Sequence, residues 1–427
     1  MSPDPEPSNL HVLVVGGGGR EHALAWACSR SPRVGRVTCA PGNAGTSSVA
    51  ENRALAATDA PGLVALAQAE KVDLVILGPD AAVAAGVGDA MREAGVACFG
   101  PGREAGRLES SKVFAKKVMA SAGVATAGFA AFEDAAEARR YLRGRPGPIV
   151  VKADGLALGK GVFVCAGEAE AEEAVERLLV RRELGAAGAR VLLEERLDGE
   201  EVSLFAICDG DGAVMLPPAR DYKRALDGNL GGNTGGMGAY CPGPGEGWRE
   251  LNRRALEDVV EPTLAEMRRR GAPYRGCLYV GGILVQGRLQ VLEFNARFGD
   301  PEAEVQLPLL PDLVPLLWQG ARGRLRGGDP VPAEGACLGV VAVRAPYPEP
   351  VSAGGEVSGV AEAEAAGCVV FQMGTRPAGP GGTEVSGGRV LICTAQGGDL
   401  GQARDRAYAG LASISFAGMR YRLDIGA

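Results

Sequence analysis

The stretch VKADGLALGKGV, residues 151–162, decides how the fold is interpreted. A P-loop places four residues between its first glycine and a Gly-Lys pair, and a hydroxyl residue after that lysine holds Mg²⁺. Here only three residues separate Gly155 from Gly159, and a glycine follows the lysine, so this is a different loop. Glycine amides can close over phosphates while lysines supply charge; a surface hairpin with solvated lysines is the alternative. The residues concerned are Lys152, Gly155, Gly159, Lys160 and Gly161.

The bulk composition is that of an ordinary globular chain and disfavours several classes of function. Its 427 residues suffice for about two to four domains. A net charge of −7 argues against a broad nucleic-acid-binding surface, so local lysines and arginines must meet any phosphate. No apolar segment has the length of a membrane span, and the start MSPDPEPSNL lacks a signal-peptide pattern. We expect a cytoplasmic protein with no nucleic-acid and no membrane partner.

Cysteine and histidine usage narrows the chemistry further. The ten cysteines form no CxxC pair, and several lie in apolar, strand-like runs. We interpret them as buried free thiols in a reducing compartment rather than as disulfides or metal ligands. His11 and His22 are the only histidines, which disfavours His-rich metal sites and His-based catalytic triads.

The order of apolar and charged segments predicts the fold class. Over about residues 10–105, strand-like runs alternate with helix-like segments, which indicates a parallel α/β sheet. Farther along, RVLLEERL and EVSLFAICD look like two antiparallel strands joined by the turn DGE. CLYVGGILVQGRLQVLEFNAR reads as a hairpin with its turn at Gln286 and Gly287, and the tail from about Cys337 adds strands and a helix.

The glycine run at residues 16–19 follows the first strand and opens a helix. Backbone N–H groups and the helix dipole bind phosphate at such a position. The dinucleotide fingerprint fails, because Glu21 occupies its third glycine position and no acidic residue ends the second strand. A phosphate of another ligand, with Arg20 adding charge, is favoured over NAD; a plain tight turn is the alternative.

Two further segments carry clustered charge. In LLEERLDGEEVS, residues 192–203, one of Glu194 and Glu195 should face a cleft, because strand neighbours face opposite sides; a solvated strand edge is the alternative. In residues 219–240, the glycines around Asn233 suggest a loop that could cover a substrate, and a disordered linker is the alternative. Charged residues before that loop favour function: Arg220, Asp221, Lys223 and Arg224.

VLEFNARFGDPEAE, residues 291–304, has the pattern of a metal site. Glu293 and Asn295 are two apart on a strand, so both side chains point to the same face. A carboxylate and an amide oxygen suit Mg²⁺ that is bound together with nucleotide phosphates. Arg297 continues that face and can grip a carboxylate with two hydrogen bonds. A buried Glu–Arg pair is the alternative, and Asp300 and Glu302 flank the cluster.

These pieces, in this order, resemble the ATP-grasp superfamily. The longer motifs, among them GGREHALAW, APGNAGT, ESSKVFAK, NTGGMGAY and EFNARFGDPE, are similar to the phosphoribosylamine–glycine ligase (glycinamide ribonucleotide synthetase) family. The resemblance covers essentially the whole chain. It implies an N-terminal Rossmann-like parallel sheet over residues 10–109 and an ATP-grasp core over 110–130 and 193–328. A small lid subdomain would occupy 131–192, and a small C-terminal α+β domain 335–427.

The resemblance also implies a reaction and its participants. ATP, glycine and 5-phosphoribosylamine would give glycinamide ribonucleotide, ADP and phosphate through a glycyl phosphate, as the second step of purine biosynthesis. ATP would be a co-substrate with Mg²⁺ or Mn²⁺, and the protein would be a monomer. No enzyme nucleophile is needed, so catalysis would be positioning and charge stabilisation.

Carried over onto this sequence, the resemblance implies the following residues. ATP would be bound by Lys112, Lys152, Gly155, Gly159, Lys160, Gly161, Glu194, Glu195, Leu197 and Glu201, and the metal by Glu293 and Asn295. The other substrates would be bound by Gly18, Gly19, Arg20, Asp221, Arg297, Gly299, Asp300 and Glu302, with Arg297, Asp221 and Lys223 as catalytic residues.

The sequence departs from the family pattern at several positions. Gly18 stands where asparagine is expected, Tyr222 where histidine is, and GDPEAE replaces GDPETQ through Ala303 and Glu304. These changes bear on the exact amine and amino acid, so a ligase joining a different pair is the alternative function. A non-catalytic nucleotide-binding module is disfavoured by the intact Glu293 and Asn295, and a dehydrogenase by the failed fingerprint.

Overall fold

The N-terminal part is a five-stranded parallel sheet flanked by helices. A computed structural model describes residues 8–145, 147–157, 161–243, 245–326, 328, 330–379 and 381–427. The strand order β3-β2-β1-β4-β5 brings the carboxyl ends of β1 and β4 together at one edge, as expected for alternating strands and helices. The elements are β1 (Leu10–Gly16), α1 (Gly19–Ser29), β2 (Val34–Pro41), β3 (Glu51–Asn52), α2 (Ala60–Ala69), β4 (Leu74–Leu77), α3 (Asp80–Ala84), α4 (Val87–Glu93) and β5 (Ala97–Phe99).

A small four-stranded antiparallel sheet follows, with the order β6-β9-β7-β8. Helices α7 and α8 cover this sheet. Their alanines and leucines pack against apolar residues of the strands to form its core. Strands β7 and β8, which pair on either side of the glycine segment, confirm the two strands predicted for the opening stretch. The elements are α5 (Arg107–Ser110), α6 (Lys112–Ala122), β6 (Phe129–Phe132), α7 (Ala135–Leu142), β7 (Ile149–Ala153), β8 (Val162–Cys165), α8 (Glu168–Val175) and β9 (Val191–Glu195).

A larger antiparallel sheet, in the order β11-β10-β16-β17, carries the hairpin predicted from the sequence. Its turn residues Gln286 and Gly287 have φ values of 50° and 75°, which is the left-handed pair a two-residue hairpin turn requires. The elements are β10 (Glu200–Asp209), β11 (Ala213–Met215), β12 (Arg220–Asp221), β13 (Arg224–Leu226), β14 (Leu230–Asn233), β15 (Gly238–Cys241), α9 (Glu246–Ala255), α10 (Glu261–Arg269), β16 (Arg275–Val285), β17 (Arg288–Asn295), α11 (Ala303–Gln306) and α12 (Val314–Ala321).

One strand pairing predicted from the sequence is wrong. Strand β9 pairs with β6 and β7, whereas β10 pairs with β11 and β16, so the two strands belong to different sheets. Both edges of β9 are already occupied by neighbours from its own sheet. The DGE segment is therefore the crossing from the small domain to the larger one, not a hairpin turn.

The C-terminal sheet has the order β12-β15-β18-β22-β19, with β23 paired to β18. It takes β12 and β15 from residues 219–241, so that segment is built into strands and is not a disordered linker. Within the described residues, no helix is long and apolar enough to cross a membrane. The remaining elements are β18 (Ala336–Arg344), α13 (Val360–Ala365), β19 (Val369–Gln372), β20 (Thr375–Pro377), β21 (Thr383–Val385), β22 (Arg389–Gly397), α14 (Leu400–Leu411) and β23 (Met419–Arg420).

Short helical turns complete the chain. Segments Glu176–Val180 and Leu256–Val260 are π-helical, and Thr46–Ser48, Gly185–Gly188, Asp227–Asn229 and Leu307–Leu309 are 3₁₀ turns. All ten cysteines are buried and free, as the sequence indicated. One apolar cluster joins the first sheet, the larger sheet and the C-terminal sheet. The three sheets therefore pack around one shared apolar cluster.

Candidate active site

The end of β17 presents a carboxylate and an amide on one face. Glu293 lies opposite Gly281 and Asn295 lies opposite Tyr279 in the pairing of β17 with β16. The alternation predicted from the sequence is confirmed by this register. Just beyond the strand, Arg297 turns back to this face, and its Nη2 donates to Asn295 Oδ1 at 3.2 Å.

Glu293 is surrounded by cations. Burial alone would raise the pKa of its carboxyl, but the charges of Lys112, Lys223, Lys152 and Arg297 lower it. Within the described part of the chain Glu293 forms no ion pair and no side-chain hydrogen bond. The carboxylate is therefore held ionised while its oxygens stay open to a ligand.

Arg297 is fixed by a residue that the sequence interpretation missed. Glu109, in α5, forms an ion pair with Arg297 at 2.9 Å, and it also accepts from the backbone N–H of Ala296 at 2.7 Å. Glu109 is buried, and burial raises the pKa of its carboxyl despite the nearby Arg297. Glu109 is the first residue of the ESSKVFAK motif, but a local motif carries no information about a partner almost two hundred residues away.

A second buried cluster joins the small domain to α6. Glu194 is the inward-facing member of the glutamate pair, with 2% of the residue exposed, and Glu195 is exposed. Glu194 binds Lys152 Nζ at 2.8 Å and Lys116 Nζ at 3.1 Å, and Lys152 also donates to Leu292 O at 3.2 Å. Burial lowers the pKa of Lys116 to about 8, although Glu194 raises it. Lys116 was missed because a lysine within an amphipathic helix reads as a solvated residue.

The described part of the glycine turn packs closely against the small domain. The backbone N–H of Gly155 donates to Ala187 O at 3.0 Å, and a Cβ on Gly155 would lie 2.7 Å from Ala187 Cα. The carbonyl of Gly161 accepts from Ala153 N at 2.8 Å. Of the predicted ATP contacts, Gly159 and Lys160 lie outside the described residues.

The N-terminus of α6 holds Lys112 close to this turn. Ser111 is the N-cap residue and accepts from Phe114 N at 3.1 Å, and Asp154 accepts from the Ser111 hydroxyl at 3.0 Å. Lys112 N also donates to Asp154 O at 3.1 Å. This bonding joins the start of α6 to the strand end that carries Lys152. The backbone at Lys112 is thereby tied to the segment that directly follows β7 and Lys152.

Asp221 and Lys223 lie between the larger sheet and the C-terminal sheet. Burial raises the pKa of Asp221 well above its usual value, and Glu302 raises it further. Lys223 forms an ion pair with Glu201 at 3.3 Å. Burial alone would lower the pKa of Lys223, but Tyr279, Glu201 and Asp221 hold it well above its usual value. Glu201, expected at the ribose, is thus exposed and tied to Lys223, while Leu197 is half-buried nearby in sequence.

Tyr279 connects this pair to the GDPE segment and was not predicted. Its hydroxyl donates to Glu302 Oε1 at 2.7 Å and lies 2.9 Å from Ser203 Oγ. Glu302 folds back over Gly299, where a Cβ would lie 2.3 Å from Glu302 Oε2. Glycine is therefore required there for Glu302 to reach Tyr279. The register of β16 against β17 places Tyr279 opposite Asn295, but an aromatic residue in an apolar strand gave no sign of this role.

The glycine run at residues 16–19 abuts the same segment. Gly18 N donates to Glu21 Oε2 at 2.5 Å, and Arg20 pairs with Glu21 at 2.6 Å while donating to Phe298 O at 3.3 Å. A Cβ on Gly18 would lie 3.4 Å from Asp300 Oδ2. The turn predicted to bind phosphate is thus brought beside the GDPE residues by the fold.

The donor set fits a hard divalent cation. Glu293 and Asn295 offer oxygen atoms, which Mg²⁺ prefers, and Mg²⁺ is usually completed by water and nucleotide phosphates rather than by protein alone. In the described ranges no group of three or more His, Cys, Asp or Glu residues could hold a metal. The site is therefore suited to a metal that arrives with a nucleotide.

The small sheet carries Lys152 and the glycine segment, and the larger sheet carries the Glu293 carboxylate and the Asn295 amide. These two sheets together define an ATP-grasp enzyme. The sequence of residues 110–303 matches the family model for the phosphoribosylglycinamide synthetase ATP-grasp (A) domain. Enzymes of this class use ATP with a divalent metal ion. The chain belongs to the phosphoribosylglycinamide synthetase family, because residues 10–109 and 337–427 match the N domain and C domain of that family as well.

Curated relatives agree along the whole chain. Phosphoribosylamine–glycine ligase of Caulobacter vibrioides is 45% identical over 426 residues, covering 98% of each chain. The human trifunctional purine biosynthetic protein adenosine-3 is 44% identical over 420 residues, covering 97% of this chain and 41% of that protein. The fold and class expected from the resemblance are confirmed.

Solved structures show the same architecture. A crystal structure of phosphoribosylamine–glycine ligase from Thermotoga maritima matches with a TM-score of 0.85 at 32% identity, covering 97% of this chain and 100% of that one. The biotin carboxylase domain of Hydrogenobacter thermophilus 2-oxoglutarate carboxylase, solved with MgADP, ADP and bicarbonate, matches with a TM-score of 0.73 at 17% identity, covering 97% of this chain and 92% of that one. The second likeness shows the fold alone.

Proposed function

We propose that the chain joins glycine to 5-phosphoribosylamine at the expense of ATP, giving glycinamide ribonucleotide, ADP and phosphate. The observation that carries the proposal is the open carboxylate of Glu293, held ionised by four cations that come from separate parts of the chain. Family membership and full-length relatives named phosphoribosylamine–glycine ligase support the choice of substrates. On the same basis we propose a monomeric, cytoplasmic enzyme of purine biosynthesis.

The lysines would bind the ATP phosphates. Lys112, Lys152 and Lys160 would meet them, with amides of the glycine turn, and residues around β9 would meet adenine. Glu293 and Asn295 would hold Mg²⁺ or Mn²⁺. The metal would neutralise phosphate charge and orient the transferred group.

Arg297 would receive the carboxylate of glycine. Its Nη2 contacts both Glu109 and Asn295, and its Nη1 donates to Phe298 O at 3.2 Å, so its orientation is fixed before substrate binds. The glycine carboxylate would attack the γ-phosphate of ATP to form glycyl phosphate. The amine of phosphoribosylamine would then displace phosphate, with Lys223 and Arg297 stabilising the charge that develops.

Phosphoribosylamine would lie between the glycine run and the GDPE segment. Backbone amides of Gly19 and Arg20, at the N-terminus of α1, would receive its phosphate, since the Gly18 N–H is bonded to Glu21. Asp300 and Glu302 would bind its hydroxyl groups. Asp221 would lie near the amine as a protonated acid that can donate a hydrogen bond, since burial raises the pKa of its carboxyl.

A phosphate-release assay tests the proposal. The protein is incubated with Mg-ATP, one of several amino acids, and freshly generated phosphoribosylamine or another amine. We expect release only when glycine and phosphoribosylamine are both present. Release that depends on a different amine or amino acid would reject this substrate assignment in favour of another ATP-grasp ligation.

The metal assignment has a separate test in Glu293→Ala. This variant should abolish phosphate release while the far-UV circular dichroism stays unchanged. Glu257→Ala is the matched control, because Glu257 is an exposed helix residue with 53% of its side chain accessible. Retained turnover in Glu293→Ala would refute the role of Glu293 in metal binding.

A further inference from the structure

A carboxyl group lies buried at the junction of the domains without a partner. Glu304, in α11, has no measurable exposure, and neither carboxyl oxygen has a hydrogen-bond partner among other described residues. Its Oε1 lies against the glycine run, where a Cβ on Gly19 would be 2.5 Å away. Met373 from the C-terminal domain covers the same glycine, since its Cγ would be 2.7 Å from that Cβ. Glu304 therefore fills the space between the N-terminal turn and the C-terminal sheet.

The cations that face Glu304 are already matched by other carboxylates. Arg20 pairs with Glu21 at 2.6 Å, and Arg389 pairs with Asp300 at 2.8 Å. Burial raises the pKa of Glu304 well above its usual value, Asp300 raises it further, and Arg389 and Arg20 lower it only in part. An ionised Glu304 would be a buried charge with no counterion of its own, which is strongly unfavourable. The group is accordingly a neutral acid in the folded protein.

We propose that Glu304 is a positioning residue, whose neutral side chain holds the glycine run against the GDPE segment in the geometry that binds the phosphate of the substrate. The inference rests on the proposed function for its ligand. The oxygens of Glu304 are inaccessible, so Glu304 acts through Gly19 and Asp300 rather than by touching substrate. A negative charge there would repel both Asp300 and an incoming phosphate.

The proposal predicts a specific pH dependence of stability. The unfolded chain releases the Glu304 proton above about pH 4.3, whereas the folded protein keeps it. Stability contributed by this group is therefore complete at low pH and is lost as the pH rises toward the raised folded pKa. In Glu304→Gln, which has the same shape and no charge, that loss is absent.

The first experiment measures unfolding of the full chain by circular dichroism between pH 5 and 8. The stability of Glu304→Gln relative to the unsubstituted protein should grow with pH over the range in which the folded protein keeps the Glu304 proton, by at most about tenfold in the unfolding equilibrium constant per pH unit. Glu266→Gln is the control, since this glutamate is also buried but is bound by Arg269 and Arg270 at 2.7 Å. Arg269 and Arg270 lower the pKa of Glu266 to about 2 against the opposing effect of burial, so its variant should lose stability by a constant factor over this range. A constant difference for Glu304→Gln would overturn the proposal.

The second experiment separates positioning from packing. KM for phosphoribosylamine and for ATP is measured in Glu304→Gln and Glu304→Ala, and binding of ribose 5-phosphate is measured above pH 7, where its phosphate is doubly charged. Glu304→Gln should keep both KM values, whereas Glu304→Ala should raise KM for phosphoribosylamine about tenfold or more and leave KM for ATP unchanged. Equal loss in both variants would show that the carboxylate itself is needed and would overturn the proposal.

The two experiments fail in different ways. If the chain releases no phosphate with any amine, the proposed function fails, while the unfolding experiment still decides whether Glu304 is neutral. If turnover is normal but Glu304→Ala leaves the KM for phosphoribosylamine unchanged, the proposed function stands and the positioning role is rejected.

Discussion

The buried triad of Glu194, Lys116 and Lys152 offers the sharpest test of the site's electrostatics. One carboxylate serves two lysines, at 3.1 Å and 2.8 Å, and the side chains of Lys116 and Lys152 are only 2% and 7% exposed. Glu194→Gln keeps the shape of the side chain and removes its charge. The variant leaves two buried ammonium groups without their counterion.

The cost follows from burial and from the pKa of Lys116. Removing one partner of a buried ion pair costs about 3–5 kcal/mol. Loss of the Lys116 proton would reduce that cost, and it is accessible because burial already lowers the pKa of Lys116 to about 8. Releasing its proton at pH 7 costs about 1.4 kcal/mol. Without Glu194, which raises the pKa of Lys116, the pKa falls further and the proton is released at lower pH.

The direction of the pH effect is fixed by this shift. A lysine with a lowered folded pKa binds fewer protons in the folded state, so stability rises with pH between the folded and unfolded pKa values. In the unsubstituted protein this rise begins near pH 8, and in Glu194→Gln it begins lower. The destabilisation should therefore be largest near pH 6, shrink as pH approaches 8, and stay constant above 8.

Thermal unfolding followed by circular dichroism at pH 6, 7, 8 and 9 tests this reasoning. At an unfolding entropy of about 2.1 cal/mol/K per residue over 427 residues, a loss of about 3–5 kcal/mol corresponds to a fall in midpoint of roughly 3–6 °C. Adding Lys116→Met to Glu194→Gln should restore part of the stability. It should also remove the rise in stability with pH that the titration of Lys116 causes. An equal drop at every pH, or no drop at pH 6, would refute the charge assignment of the triad.

Two further substitutions test contacts around the substrate. Tyr279→Phe removes the hydrogen bond to Glu302 and should lower kcat/KM for phosphoribosylamine about 10- to 100-fold, as expected for a hydrogen bond to a charged group; an unchanged value measured by phosphate release would exclude the contact from function. Arg422→Ala removes the bonds to Arg224 O and Asn229 Oδ1 that hold the β13–β14 hairpin, and it should speed trypsin cleavage after Arg224 by about 100-fold; an unchanged rate would show that the hairpin is held by other contacts.

The sequence predicted those parts of the fold that depend on local pattern. Apolar runs located the strands of the first sheet, and the pair Gln286 and Gly287 located the hairpin turn. Two-residue spacing was enough to place Glu293 and Asn295 on one face. In each case the deciding interaction lies within a few residues of chain, so a periodic pattern carries the information.

Strand pairing between distant segments could not be obtained in this way. The pattern around residues 198–200 is that of a hairpin turn, yet β9 and β10 enter different sheets because each finds partners elsewhere in the chain. The same limit applies to Glu109 and Tyr279. Their roles depend on Arg297 and Glu302, which approach only after the larger sheet has formed.

The partners of the carboxylates in the site explain why the metal-binding residue can be recognised. Four buried or half-buried acids in the site already have a partner: Glu194 with two lysines, Glu109 with Arg297, Glu302 with Tyr279, and Asp300 with Arg389. Glu304 has none and is kept neutral by burial. Among these acids and Glu293, only Glu293 is both ionised and open to a ligand, because the neighbouring cations lower its pKa without forming an ion pair with it. An ionised, unpaired carboxylate among lysines is suited to bind a metal cation that arrives with phosphates. This combination of charge and accessibility distinguishes Glu293 from its neighbours on physical grounds.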